Sequence, residues 1–266
     1  MQLESVKLAF FSPTGNTRAI VQGLARGLSP GAVEIIDLTR PAARAQPLHT
    51  SEHELLVVAV PVYMGRVPAL LQDWLNALEA AGTPTVCVVV YGNRVYDNAL
   101  LELKDIVTSR GCIPIACAAY VGEHSFSSSR FPVAPGRPDA EDLDHALAFG
   151  QRVRAKLESL SSLSQVSDVP VPGTRPYGGV TRLWDVDFIA VDDRCIHCGD
   201  CAKVCPMGAV DANDSAAIDP VKCITCCACI KCCSQGARSM KPGPVMEAAI
   251  RLNARCKAPK RPEVFL

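Results

Sequence analysis

Val6-Lys-Leu-Ala-Phe-Phe-Ser-Pro-Thr-Gly-Asn-Thr-Arg18, VKLAFFSPTGNTR, is an apolar run that gives way to a turn rich in hydroxyls. The run reads as a β-strand, and beyond the turn Ile20, Leu24 and Leu28 recur at helical spacing on one face. A strand that feeds a helix through such a turn makes an anion site. A phosphate there would meet backbone N–H groups, the positive end of the helix dipole and the hydroxyls of Ser12, Thr14 and Thr17. A nucleotide-hydrolase loop would need a lysine after the second glycine of G-x4-G-K-[ST], and no lysine follows Gly15. The dinucleotide pattern G-x-G-x-x-G is absent as well.

The same alternation continues to about residue 160. Further strands are expected in VEIIDL, ELLVVAVPVY, TVCVVVYG and IPIACAAYVG. Helices are expected after Pro68, where Leu71, Leu75 and Leu78 share a face, from Asn98 to Ser109, and from Asp139 to Leu160. Apolar strands alternating with helices indicate a parallel sheet covered on both faces, which makes Cys87, Cys112 and Cys117 small core residues. Ligands of such sheets bind beyond the carboxyl ends of the strands. Three loops stand there: Ser12, Pro13, Thr14, Gly15, Asn16 and Thr17; then Pro61, Val62, Tyr63, Met64 and Gly65; then Tyr91, Gly92, Asn93, Tyr96 and Asp97. After the fifth strand a long polar connection carries His124, Ser125 and Arg130, which are placed to reach a ligand at the strand ends or the sulfur-rich half, with a structural histidine the other reading of His124.

Lys plus Arg and Asp plus Glu are balanced at 27 each among 266 residues, so net charge gives no reason to expect nucleic acid or an anionic membrane as partner. The longest apolar run, LLVVAVPVYM, is too short to span a bilayer, and no cleavable leader is visible, so a cytoplasmic location is expected. In that compartment thiols stay reduced, which directs the 14 cysteines toward metal ligation rather than disulfides. Eleven of them lie between Cys195 and Cys256, beyond a Ser-, Pro- and Gly-rich stretch near 161–181 that reads as a linker.

Shifted by 28 residues, RCIHCGDCAKVCPMGAV aligns with KCITCCACIKCCSQGAR at every cysteine of the first copy. Each copy carries C-x2-C-x2-C-x3-C: Cys195, Cys198, Cys201 and Cys205, then Cys223, Cys226, Cys229 and Cys233. Three thiolates from one tight loop plus a distant fourth is the spacing of an iron–sulfur cubane, whereas zinc sites take two ligands from each of two loops. Cys227 and Cys232 occupy positions where the first copy has Gly199 and Val204, and are expected to be packing residues.

The first loop resembles the FMN phosphate loop of flavodoxins, with S/T-x-T-G-N-T intact, and the repeat resembles bacterial two-[4Fe–4S] ferredoxins. Nearly end to end, the chain resembles two-domain flavodoxin–ferredoxin fusions of anaerobes. The resemblance implies a doubly wound five-stranded α/β domain at 1–160, the linker at 161–181, a small α+β two-cluster domain at 182–240 and a C-terminal helix with a basic tail at 241–266. It implies crossed ligation, with Cys195, Cys198, Cys201 and Cys233 on one cluster and Cys223, Cys226, Cys229 and Cys205 on the other. Ser234 replaces the family's proline after the last cysteine, which leaves Cys232 as a rival to Cys233. The implied function is relay of low-potential electrons between FMN, the clusters and a redox partner protein or soluble carrier. The alternative is an FMN-dependent oxidoreductase that reduces a quinone, nitro compound or nicotinamide. A homodimer is expected if the tether holds flavin and clusters of one chain apart.

Overall fold

The structure is a computed structural model that describes residues 4–179 and 185–266; the expected linker end at 181 and domain start at 182 lie outside the described residues. The chain runs β1 (Ser5–Phe10), α1 (Asn16–Leu28), β2 (Val33–Asp37), α2 (Pro41–Arg44), β3 (His49–Ser51), β4 (Glu54–Pro61), α3 (Gln72–Asn76), β5 (Glu79–Ala81), β6 (Thr83–Tyr91), α4 (Ala99–Ser109), β7 (Cys112–Val121) and α5 (Ala140–Ser159). It continues through β8 (Ile189–Val191), α6 (Asp200–Lys203), α7 (Ala228–Lys231), β9 (Arg238–Met240), α8 (Pro244–Arg255) and β10 (Glu263–Phe265).

The main sheet has the order β10-β7-β6-β4-β1-β2, parallel from β7 to β2. Setting aside the short β3–β5 pair, this is the 2-1-3-4-5 order of the flavodoxin-like doubly wound sheet. The five expected strands are all present, and the order reverses between β1 and β4, which opens a crevice beyond their carboxyl ends. Successive side chains of β4 and β6 are buried on opposite faces, so two cores form. One holds Leu56, Val58 and Val89 with Trp74, Leu100 and Leu103; the other holds Leu55, Val57 and Val88 with Ile20, Leu24, Phe149 and Val153. Cys87, Cys112 and Cys117 are core residues.

Gly27 and Gly150 let α1 and α5 approach closely, because a Cβ on Gly27 would stand 1.9 Å from Leu147 O and one on Gly150 2.2 Å from Leu24 O. VEIIDL differs from its apolar reading: β2 is the sheet's edge, with Val33 and Ile35 exposed.

The Ser/Pro-rich stretch is fastened along α4. Lys104 Nζ donates to Val169 O at 2.6 Å, Thr174 N to Asn98 Oδ1 at 2.8 Å, and Val169 enters the core. The sulfur-rich segment contains the antiparallel pair β8–β9 and two one-turn helices, α6 and α7, at repeat-related positions. The backbone repeats too. His197 and Thr225 have φ of 51° and 54°, Gly199 and Cys227 77° and 58°, and Gly208 and Gly236 both 60°.

The basic stretch after α8 is folded onto the first part of the chain. β10 pairs antiparallel with β7, Val264 opposite Ala118, and adds a sixth strand that covers the sheet edge. Asn93 holds the approach to it: its Nδ2 donates to Cys256 O at 2.8 Å and Ala258 O at 3.0 Å, and its Oδ1 accepts from Lys260 N at 3.1 Å. Among the described residues no helix is long and apolar enough to cross a membrane.

Candidate functional site

Gly15 adopts φ 89°, which bends the chain from β1 into α1. Within the turn Arg18 N donates to Ser12 Oγ at 3.0 Å, and Ser12 N donates to Thr39 Oγ1 at 2.8 Å. The backbone N–H groups of Thr14, Asn16 and Thr17 have no acceptor among the described residues. Unsatisfied donors gathered at the start of a 13-residue helix are a fit for a phosphate.

The second loop closes on itself, with Tyr63 N donating to Arg66 O and Arg66 N to Tyr63 O, both at 3.0 Å. Met64 and Gly65 take the positive φ values, 53° and 79°, that a two-residue hairpin turn requires. Tyr63 meets Phe11 edge-on at 6.4 Å. Burial, and then the nearby Cys226 and Cys227, push its hydroxyl pKa well up, so it stays a neutral phenol. In the third loop Gly92 lies flat against His124, where a Cβ would come within 2.2 Å of the imidazole.

One cavity is lined by Ser12, Pro13, Thr14, Asn16 and Thr17 of the first loop, Pro61, Val62 and Tyr63 of the second, Tyr91 and Gly92 of the third, and by His124 and Cys226. Gly15 lines the adjoining space on the helix side. The structure does not bring Asn93, Tyr96 or Asp97 to this cavity. Asn93 holds the C-terminal tail, Tyr96 is buried with its hydroxyl donating to Glu263 Oε2 at 2.9 Å, and Asp97 pairs with Arg94. Gly65 is tucked under Asp97, and Met64 faces a neighbouring cleft.

His124, for which the sequence offered a role at the flavin alongside a structural one, lines this cavity. Burial, followed by the charges of Lys231 and Arg94, lowers its pKa to about 4. Its Nδ1 accepts from Phe126 N at 3.0 Å, which leaves Nε2 as the protonated nitrogen of the neutral ring. Glu123 O accepts from Asn16 Nδ2 at 2.9 Å, so the connection after β7 braces the first loop.

Cys205, Cys223, Cys226 and Cys229 line one enclosed space together with Ile189, Val210 and Ile218, and Cys227 borders it too. Burial raises the thiol pKa of Cys223, Cys226 and Cys229, and the proximity of Cys205 raises each further. The buried thiols of Cys223, Cys226 and Cys229 have no reason to ionise unless a cationic centre joins them. No group of three His, Cys, Asp or Glu among the described residues is tight enough to hold a single ion. Tetrahedral zinc would need sulfurs about 3.8 Å apart, from a Zn–S distance of ~2.3 Å. A further observation fits an anionic cluster: Arg238 is buried and its Nε has no partner among the described residues. Its charge acts on Cys229 and Cys232.

Of the other set, Cys201 and Cys233 flank Cys232, and Cys195 and Cys198 lie on the preceding loop with Cys198 exposed. The thiols of Cys227 and Cys232 donate to Thr225 O at 3.7 Å and Cys229 O at 3.5 Å.

The two halves are held by contacts that no motif signals. Arg44 Nη2 donates to Pro206 O at 2.7 Å, Lys231 pairs with Glu123 at 2.9 Å, and Asn253 Nδ2 donates to Pro132 O at 2.7 Å. Ile224, Met207 and Cys226 pack against the first domain's core. No second copy of the chain is needed to bring a cysteine of the repeat to the crevice.

A family model described as a 4Fe-4S binding domain matches residues 191–210. Among curated proteins, none matches the sequence. Solved structures overlap the N-terminal part. A flavodoxin from the domain Archaea is 13% identical, with a TM-score of 0.41, over 58% of this chain and 99% of that one. A Streptococcus pneumonia TIGR4 flavodoxin is 20% identical, with a TM-score of 0.41, over 57% of this chain and 99% of that one. The flavodiiron core from Synechocystis sp. PCC6803 is 18% identical, with a TM-score of 0.42, over 59% of this chain and 36% of that one. The chain joins a flavodoxin-like α/β fold, read from its strand order, to a segment that matches a 4Fe–4S binding domain.

Proposed function

We propose that the chain relays electrons between FMN in the strand-end crevice and two [4Fe–4S] clusters, and exchanges them with a redox partner protein or soluble carrier. The observation that carries this reading is Cys226, which lines one cavity together with Ser12, Thr14, Thr17 and Tyr63. Bound there, the flavin supplies one- and two-electron chemistry and the clusters one-electron chemistry.

In this reading the N–H groups of Thr14, Asn16 and Thr17 and the hydroxyls of Ser12, Thr14 and Thr17 bind the phosphate. Pro61, Val62, Tyr63, Tyr91 and Gly92 border the ring, and Tyr63 shields the crevice from water on the side of the repeat. His124 keeps a proton at Nε2 through the working pH range, a neutral donor beside the crevice. Cys205, Cys223, Cys226 and Cys229 hold the cluster nearer the flavin. Cys195, Cys198, Cys201 and Cys233 hold the outer one, whose loop exposes Ile196 and Cys198 to a partner. Asn93, Tyr96 and Asp97 shape the third loop and its clasp on the tail.

Flavin, iron, sulfide and zinc per chain after anaerobic purification test the reading: one FMN with about eight irons and eight sulfides is expected. Cys226→Ala is expected to bring iron down toward about four, whereas Cys227→Gly, which copies Gly199 at a positive φ, keeps about eight. Zinc without sulfide, or clusters without flavin, would overturn it. A second reading, reduction of a small molecule at the same crevice, is favoured by the cleft that adjoins it.

A further inference from the structure

We infer that this adjoining cleft is a binding site for a small, partly apolar organic anion; its meaning as a substrate site rests on the flavin reading above. The cleft has a volume of about 350 Å³, within the ~300–1,000 Å³ of small-molecule sites. It is continuous with the crevice, since Val62, Tyr63, His124 and Ser125 line both. Its far wall is α8, and its floor is Ile224 and Thr225, the residues just before Cys226. An occupant therefore touches the first domain, the loop carrying Cys226 and the C-terminal helix at once.

The charge of the lining is one-sided. Arg94, Arg251 and Arg255 contribute to it and no aspartate or glutamate does, in a chain with equal numbers of basic and acidic residues. Arg94 is paired with Asp97, and Arg251 reaches Glu247 only at 3.8 Å. Arg255 has no ion pair among the described residues. His124 is neutral and adds a donor without adding charge. Met64, Phe126 and Leu252 also line the cleft and give an apolar surface for the body of a ligand whose acid group meets the guanidinium groups. Guanidinium forks match the planar, two-oxygen geometry of a carboxylate and the oxygens of sulfonates and phosphates. The class is thus an aromatic or branched apolar molecule with one acid group.

Arg251 and Arg255 also lie near the carboxyl end of α8, where cations offset the helix dipole. A purely structural role of that kind would change stability and leave ligand selectivity untouched, which supplies the contrast for the test.

The probes are 8-anilinonaphthalene-1-sulfonate and its uncharged counterpart N-phenyl-1-naphthylamine, bound to the full-length, cofactor-loaded chain and quantified by equilibrium dialysis. The sulfonate is expected to bind at one site per chain, more tightly than the neutral probe, with an affinity that weakens with added salt. Arg251→Ala with Arg255→Ala is expected to weaken the sulfonate at least about tenfold and the neutral probe less than about twofold. Arg251→Lys with Arg255→Lys restores the charge and is expected to recover most of the loss. Equal affinity for both probes, or a double alanine variant that binds the sulfonate as the parent does, overturns the inference. Flavin counted on the same samples separates the two ideas. A chain without FMN that still prefers the anion sinks the relay and leaves the anion site, whereas full FMN without anion preference sinks only the site.

Discussion

Asn93→Gly is the substitution whose outcome follows most directly from the geometry. The Asn93 side chain is buried and makes three hydrogen bonds to residues 256–260, the segment that delivers β10 to the sheet edge. At ~1 kcal/mol for each bond, removing the amide weakens the clasp by about 3 kcal/mol. Glycine suits the test because residue 93 has φ 58°, which glycine adopts without strain, whereas alanine would add about 1 kcal/mol or more from the left-handed backbone alone. The loss is local, since α1 through α5 make no use of these bonds. Native-state hydrogen exchange is therefore the assay: protection of the β10 amides, Val264 among them, is expected to fall about a hundredfold, the equivalent of ~3 kcal/mol. FMN content is expected to stay the same. Unchanged tail protection with loss of flavin would refute the reasoning and return Asn93 to the cofactor, where its position after a strand first suggested it belonged.

Gly27→Ala sets a Cβ 1.9 Å from Leu147 O and forces α1 and α5 apart, so a loss of about 1–3 kcal/mol is expected in denaturant unfolding of the flavin-bound protein; an unchanged midpoint would contradict the close approach. His124 gives a pH dependence. Its folded pKa, about 4, lies below its ordinary 6.5, so the unfolded chain binds the extra proton and stability falls as pH drops through that window, by at most about 3 kcal/mol. His124→Gln should flatten that part of the stability–pH curve, and a curve as steep as the parent's would count against a buried neutral imidazole. Arg238→Met removes a buried cation beside Cys229, and a redox titration followed by electron paramagnetic resonance is expected to show a cluster potential lowered by about 60 mV, tenfold in a one-electron equilibrium. A potential that does not move would mean that Arg238 is not in the cluster's field.

The sheet was legible because burial on both faces leaves little freedom in what a strand can be. ELLVVAVP and TPTVCVVVY are nearly continuous apolar runs, and both are interior strands. The internal repeat was equally plain, and the structure repeats it down to the positive φ at Thr225 and Cys227. Three things were hidden. β10 is only Glu-Val-Phe, next to a basic run whose composition points to solvent, and its strand character comes from β7 offering an open edge. Asn93 and Tyr96 stand at a strand end where ligands bind, yet spacing does not tell which way a loop side chain turns, and both turn toward the tail. His124 sits in GEHSF, a stretch that takes part in the resemblance, but no catalytic motif contains it. Its signal is the contact with Gly92 across the crevice, between residues 32 positions apart in the chain.

The contact between the halves has a consequence for how cofactors and fold depend on one another. Ile224, Cys226 and Met207 pack on the core of the first domain while Cys226 also faces Cys205, Cys223 and Cys229. The loop that closes the crevice is thus the loop that gathers the thiols. Without a cationic centre burial keeps the thiols of Cys223, Cys226 and Cys229 protonated, and Arg238, buried with an unpartnered Nε, is left as a cation with too little opposing charge. A cluster relieves both conditions, because it takes up the thiolates and places negative charge near the guanidinium. If the repeat is loaded as proposed, the same loop forms the wall of the crevice, because Cys226 lines both spaces. In the proposed reading, flavin and cluster occupancy would be coupled through residues 223–229, where Cys226 borders both cavities.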